Sequence, residues 1–211
     1  MLDVSAIVLC GGLGTRLRPV IRNLPKCLAP VNGRPFLFYI LDQLVAAKVK
    51  RIVLAVNYLS EMISNTVGTE YKGVPIHYSY DKIENGGTGH AARMAVEFIE
   101  DGDTILIMNG DTYIDFPLHN FIFYGQDLVF DEVGFVLNVK NGITNMGVYC
   151  IRKEFLIDII PKFKSYSLEK SLLSDAFEDE PKCFLIKSPF LDIGTPESYA
   201  SANDFMNEFA R

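Results

Sequence analysis

A chain of 211 residues with 49% hydrophobic and 22% charged side chains can bury a substantial core and most simply forms one soluble domain, 1–211. Its net charge of -6 argues against nonspecific nucleic-acid binding, so any cationic site has to be local, and no apolar run is long enough to span a bilayer. Four scattered cysteines (Cys10, Cys27, Cys150, Cys183) without a C-x-x-C pair point to reduced thiols in the cytoplasm, and three dispersed histidines argue against a structural zinc site.

The first expected strand, Ser5–Leu9, runs straight into Gly11-Gly12-Leu13-Gly14-Thr15-Arg16, so no signal peptide is expected here. Glycines let backbone N–H groups approach an anion closely, and successive N–H groups form a concave nest for it. Arg16 adds a forked donor suited to phosphate, and Lys26, after Pro25, adds a point charge. The segment is not a P-loop, which needs G-x-x-x-x-G-K-[ST]. Nor is it a dinucleotide fingerprint: Gly12-Leu-Gly14-Thr-Arg-Leu17 lacks the third glycine. It reads as a grip for a ligand with several negative charges.

Beyond this loop, apolar runs alternate with helical periodicity, the pattern of an α/β sheet covered on both faces. Helices are expected over Phe36–Lys48, Tyr58–Thr66, Thr88–Glu100, Lys153–Pro161, Ser167–Phe177 and Pro196–Phe209. The further strands are Arg51–Val56, Ile76–Tyr80, Thr104–Met108, Met146–Ile151 and Cys183–Lys187. Thr195-Pro196 is a start signal for the last helix. Ligands of open α/β sheets bind at the carboxyl ends of strands, where both the glycine loop and Asn109-Gly110-Asp111 lie.

Asp111 ends an apolar strand after a permissive glycine, and a nucleoside triphosphate brings Mg²⁺, which takes carboxylate and phosphate oxygens. A turn-forming aspartate is the plainer alternative. Asp192, in Phe190-Leu-Asp-Ile-Gly-Thr-Pro196, reads equally well as a cap for the following helix. Asp115 is taken as a turn residue.

The strings GGLGTRLRP and LPKCLAPVNGRP resemble the signature of the sugar-1-phosphate nucleotidyltransferases, or nucleotide-sugar pyrophosphorylases. Within that family the wording is most similar to the bacterial D-glycero-α-D-manno-heptose 1-phosphate guanylyltransferases. The resemblance implies a Rossmann-like three-layer αβα nucleotidyltransferase fold with a mostly parallel mixed sheet. It implies nucleotide contacts from Leu9, Gly11, Gly12, Gly14 and Thr15, catalytic roles for Arg16, Lys26 and Asp111, and Mg²⁺ held by Asp111 and Asp192. Glu84-Asn-Gly-Gly-Thr-Gly-His-Ala-Ala92 resembles the family's E-P-L-G-T-x-G-A loop against the base, with Gly87 and Thr88 contributing. Thr144-Asn-Met-Gly-Val-Tyr149 resembles the N-[AG]-G-[IV]-Y strand that contacts the sugar through Asn145 and Gly147. Lys140 matches a sugar-phosphate lysine, and Glu169 a helix-start glutamate, although a solvent-facing charge is the plainer reading of the latter.

The match has departures. Asn85 and Gly86 replace Pro-Leu, and His90 stands where glycine is usual, most simply as a capped surface residue. Val139-Lys140 replaces the usual Glu-Lys pair. Between Asp115 and Tyr124-Gly125 relatives carry a further strand and loop, so part of the sugar-side wall is expected to be remodelled or missing.

The implied reaction is Mg²⁺-dependent transfer of a nucleoside monophosphate from NTP, with GTP favoured, to a sugar 1-phosphate, giving GDP-heptose for bacterial surface polysaccharide. The partners are those two substrates, with neither nucleic acid nor membrane, and a homo-oligomer is compatible with the sequence. Three rivals stand: a dinucleotide-dependent oxidoreductase, a noncatalytic nucleotide-sugar sensor, and an enzyme for mannose or glucose 1-phosphate using GTP, UTP, dTTP or CTP.

Overall fold

The computed structural model describes residues 4–81, 86–126, 133–140, 142–162, 165–172 and 182–210. Its strands are β1 (Val4–Leu9), β2 (Pro30–Val31), β3 (Arg34–Pro35), β4 (Arg51–Val56), β5 (Glu70–Tyr71) and β6 (Val74–Tyr80). They continue with β7 (Thr104–Asn109), β8 (Thr112–Ile114), β9 (Val133–Asn138), β10 (Thr144–Arg152), β11 (Lys182–Ile186) and β12 (Phe190–Asp192). The helices are α1 (Leu37–Ala46), α2 (Ser60–Val67), α3 (Gly87–Ala95), α4 (Leu118–Gln126), α5 (Lys153–Ile159), α6 (Pro196–Ala200) and α7 (Ala202–Phe209).

Eight strands form one sheet in the order β11-β9-β10-β7-β1-β4-β6-β5. β1 is central and pairs in parallel with both β4 and β7, and β6 extends the parallel run. β10 runs antiparallel to β7 and to β9, which restores β9 and its parallel neighbour β11 to the direction of β1. The carboxyl ends of β1, β4, β6, β7 and β9 therefore share one edge of the sheet. The mixed, mostly parallel sheet expected from the sequence is the sheet observed.

A strand buried on both faces sends alternate side chains into opposite layers. Ala6, Val8, Leu54, Leu106 and Met108 join Ile40, Leu41 and Leu44 of α1 and Phe121 of α4 in one core. Ile7, Val53, Ile105, Ile107 and Tyr149 join Ala92 and Ala95 of α3 and Leu156 of α5 in the other. Each large side chain so buried contributes roughly 1.5–3 kcal/mol. This is the three-layer arrangement.

Several local expectations need correction. The region from Asp115 to Tyr124 holds α4, and Tyr124-Gly125 lie within that helix. Gly125 lets α4 pack onto β10, because a Cβ there would sit 2.1 Å from Cys150 Sγ. The helix expected over Pro196–Phe209 is two helices; Ser201 Oγ bonds back to the Ser198 carbonyl at 2.9 Å where they divide. Its start is as expected, with Thr195 and Ser198 forming reciprocal capping bonds of 3.2 Å before and after Pro196. The helix expected over Ser167–Phe177 is a π-type turn, Leu168–Leu172, and residues 173–177 lie outside the described residues. β8, β9 and β12 were not among the expected strands.

The Val31-Asn32-Gly33-Arg34 hairpin has positive φ at Asn32 (49°) and Gly33 (74°), as a two-residue Asn-Gly turn requires. Asn32 clamps it to α7: its N–H donates to Asn203 Oδ1 at 2.8 Å and its amide to Asn207 Oδ1 at 2.9 Å. Among the described residues no helix is long and apolar enough to cross a membrane.

Candidate active site

The shared edge of the sheet opens into a cleft of about 760 Å³. At its centre the chain leaves β1 through the glycine loop. Gly14, with φ of 58°, opens a helical turn in which the N–H groups of Leu17 and Arg18 donate to its carbonyl. The same glycine lies against Lys26, whose Cβ would be 3.2 Å from a Cβ at position 14. Arg18 steadies the loop from outside, donating to the Leu13 carbonyl at 3.2 Å with its guanidinium over the Tyr58 ring. Gly11, Gly12, Leu13 and Arg16 face the cleft; Gly14 and Thr15 do not line it.

Lys26 begins a short 3₁₀ turn anchored by buried Cys27 and Leu28. Its ammonium bonds Asp111 and lies 3.5 Å from Asp192. Both carboxylates are positioned by backbone. Gly110 donates to the Leu9 carbonyl at 3.0 Å, and a Cβ on it would come within 2.8 Å of Cys10 Sγ, so Asp111 is drawn against β1. β12 pairs with β8 so that Asp192 stands opposite Thr112, and Ile193 donates to the Asp111 carbonyl at 3.0 Å. A Cβ on Gly194 would meet Asp192 Oδ1, Lys26 Nζ and Arg16 Nη2 at 2.7, 3.1 and 3.3 Å. Two acids and two cations thus converge on one point.

Among the described residues no three His, Cys, Asp or Glu side chains gather as a closed metal cage. Two carboxylates leave the other ligand positions to phosphate and water, which is the donor set Mg²⁺ prefers. Neighbouring Cys10 offers no nucleophile. Its hydrogen bond with Cys27 and its burial hold the thiol well above its usual range.

The opposite wall is Gly86-Gly87-Thr88, laced to residues 166–170. Tyr166 donates to the Gly86 carbonyl at 2.9 Å, and Gly89 donates to the Tyr166 carbonyl at 2.9 Å. Gly87, with φ of 84°, permits this approach; a Cβ there would lie 2.6 Å from the Tyr166 oxygen. Thr88 Oγ1 donates to Glu169 Oε2 at 2.7 Å and accepts from the Leu168 N–H at 2.9 Å. Glu169 faces the cleft rather than open solvent. His90 is likewise no surface residue: it is 1% exposed, with Nε2 3.4 Å from Asp81 Oδ1. Glu84 and Asn85 lie outside the described residues.

The residues expected to contact the sugar are arranged differently. Lys140 is exposed beyond the end of β9, and neither it nor Asn145 nor Gly147 lines the cleft. Asn145 donates to the Tyr149 hydroxyl at 2.8 Å and accepts from the Gly147 N–H at 3.0 Å. Gly147 makes room for Asn109, whose Nδ2 would be 2.1 Å from a Cβ at position 147. Asn109 itself lines the cleft, as do Asn57 and Asp81; sequence reasoning placed Asn109 at this strand end without giving it a role, and missed Asn57 and Asp81. Their common signal is a polar residue at or just past the carboxyl end of a parallel apolar strand.

A family model described as nucleotidyl transferase matches residues 5–136. The chain is 34% identical over 221 residues to the D-glycero-α-D-manno-heptose 1-phosphate guanylyltransferase of Campylobacter jejuni, with 93% of this chain and 97% of that protein covered. It is 30% identical to the protein of the same description from Aneurinibacillus thermoaerophilus, with 98% and 100% covered. The crystal structure of HddC from Yersinia pseudotuberculosis complexed with GMP-PN superposes with a TM-score of 0.79 at 26% identity, over 95% of this chain and 98% of that one.

Proposed function

The chain belongs to the nucleotidyl transferase family and is a sugar-1-phosphate nucleotidyltransferase, and we propose that its substrates are GTP and D-glycero-α-D-manno-heptose 1-phosphate. The products are pyrophosphate and GDP-heptose, an activated sugar for bacterial surface polysaccharide. The observation that carries this reading is the meeting of Asp111, Asp192, Lys26 and Arg16 beside an anion-binding glycine loop. The two heptose 1-phosphate guanylyltransferases of near-equal length support the choice of sugar and base.

The reaction joins a sugar-phosphate oxygen to the α-phosphorus of GTP and breaks the bond from that phosphorus to the oxygen bridging it to the β-phosphorus, which leaves as a terminal oxygen of pyrophosphate. The attacking monoester has a second pKa of ~6 and is already ionised near neutrality, so no protein base has to take a proton. What the chain supplies is position and neutralised charge. N–H groups of the Gly11–Leu13 segment and the Arg16 guanidinium hold the triphosphate. Lys26 balances the charge between the two phosphates that must approach each other. Asp111 and Asp192 would hold Mg²⁺, which supplies charge stabilisation at the phosphoryl oxygens when bound. Four free thiols, with Cys10 hydrogen-bonded to Cys27, suit the reducing cytoplasm in which we place the enzyme.

Pyrophosphate release with Mg²⁺ is the test, using each of four NTPs against heptose, mannose and glucose 1-phosphates. Release with GTP and the heptose phosphate alone is expected. Release with another pair would correct the substrate, and NTP binding without release would replace an enzyme with a sensor.

A further inference from the structure

An in-line displacement at the α-phosphorus brings the sugar phosphate in on the side opposite the leaving pyrophosphate. The glycine loop that grips the triphosphate follows β1 and Asp111 follows β7, so the far side of the reacting phosphorus faces β7 and its next neighbour, β10. Asn109 is the last residue of β7. It pairs with Leu9 of β1 on one flank and lies against Gly147 of β10 on the other, half-buried and lining the cleft. The second contact is close: a Cβ at position 147 would be 2.1 Å from Asn109 Nδ2 and 2.6 Å from its Cγ. Gly147, left-handed at φ of 64°, therefore carries the Asn109 amide on its open face. Asn145, the other β10 residue that resembles a sugar contact, is bonded to the Tyr149 hydroxyl and the Gly147 N–H. Asn109 by contrast makes no side-chain hydrogen bond among the described residues. Burial and then the Glu169 carboxylate push the Tyr149 phenol up, which sets Glu169, on the opposite wall of the cleft, close to β10.

We propose that Asn109 is the sugar-reading residue of this cleft, its amide exchanging hydrogen bonds with a ring hydroxyl of the sugar 1-phosphate while the phosphate is held at Lys26 and the acidic pair. The proposal rests on the function given above. A carboxamide carries two donors and an acceptor oxygen, and a hydroxyl both donates and accepts, so each can satisfy the other. A phosphate oxygen would use the amide as a donor alone. Residues two apart in extended chain are separated by about 7 Å, so an amide at 109 reaches the ring of a sugar whose phosphate sits at Asp111. The role that family wording gives to Asn145 and Gly147 passes in this chain to the strand beside them.

The test is pyrophosphate release by the whole protein with Mg²⁺ and GTP. It compares the sugar 1-phosphate selected by the panel above, the heptose phosphate being expected, with each of its monodeoxy analogues. The wild type is expected to lose about 5–50-fold in kcat/KM on one analogue, the one without the hydroxyl that Asn109 meets. Asn109→Leu, similar in size and without hydrogen bonds, is expected to lose a similar factor on the parent sugar and to use that analogue as well as the parent, with KM for GTP unchanged. Asn109→Asp, whose carboxylate still accepts from the hydroxyl, is expected to keep the discrimination while its charge slows turnover. An Asn109→Leu protein that still rejects the same analogue would overturn the proposal, and so would a KM for GTP that rises in step with the sugar constant while the ratios hold. A wild type that uses every monodeoxy analogue as well as the parent would also overturn it, and that arm needs no variant to fold. If no sugar phosphate supports release, calorimetry with the GDP-sugar and its monodeoxy analogues makes the same comparison. The expected ratios there would uphold Asn109 as reader and reject the enzymatic reading; no binding would reject both.

Discussion

The side of the cleft proposed for the nucleotide and the residues proposed for the sugar are built in different ways. On the nucleotide side, backbone geometry at the ends of parallel strands delivers the functional groups: Gly110 ties Asp111 to β1, and β12 pairs Asp192 opposite Thr112. On the sugar side, the matching residues come from antiparallel β10, where Asn145 is spent on Tyr149 and on the Gly147 N–H. Parallel strand ends converge by topology, whereas a side chain inside an antiparallel strand goes wherever its local register sends it. That register shifts between Asn145 and Tyr149, where Gly147 has φ of 64°.

The sharpest way to break the comparison is at the acidic pair. Asp111→Ala is expected to lower kcat for pyrophosphate release by roughly 10²–10³, by analogy with a lost electrostatic donor in other active sites. Near-normal turnover would mean that the convergence on Lys26 is merely structural. Gly147→Ala should act on folding, since the new methyl meets Asn109 in a left-handed backbone. The cost is about 1–3 kcal/mol, or a Tm lowered by roughly 2–10 °C for a chain of this size. An unchanged Tm would show that β10 relaxes easily and that its bulge is not a constraint.

Lys140→Ala probes whether the sugar side closes over a ligand at all. If Lys140 meets the sugar phosphate, KM for the sugar 1-phosphate rises about tenfold while KM for GTP holds, in the range of one lost charge-assisted contact. If neither constant moves, Lys140 stays outside the site. The smallest effect is expected from Thr88→Val, which removes the contacts to Glu169 and the Leu168 N–H. About 1 kcal/mol of stability should be lost, seen as a lower Tm and as faster hydrogen exchange at the Leu168 amide.

These contrasts also explain what the sequence disclosed. The glycine loop and Asp111 were legible because each ends an apolar run, whereas Lys26 follows a proline and Asp192 was singled out by family wording. Asp81 and Asn57 had the same signal in weaker form, a single polar residue after β6 or β4, with no glycine to draw attention to it. His90 was misread because its burial depends on an absent side chain at Gly86 and on Asp81, nine residues away. α4 was not expected, because Leu118–Gln126 carries aromatic residues on several sides and shows no clear apolar face. Lys140 and Asn145 were picked out by family wording alone, with no strand expected before Lys140 and the β10 strand expected only from Met146, and orientation across a bulge is a tertiary outcome.

The central position of β1 also sets a timetable for synthesis. Val4 pairs with Thr104, so the first strand made waits for residues about 100 positions later before its second edge is covered. Lys26 can meet Asp111 soon after β7 is in place, but Asp192 emerges about 80 residues later, roughly 4–16 s at ordinary rates of translation. For that interval Lys26 and Asp111 neutralise each other alone, and the site gains its second acid only when β12 closes on β8. A nascent chain would therefore have made most of its sheet strands before it could bring two carboxylates together at this point.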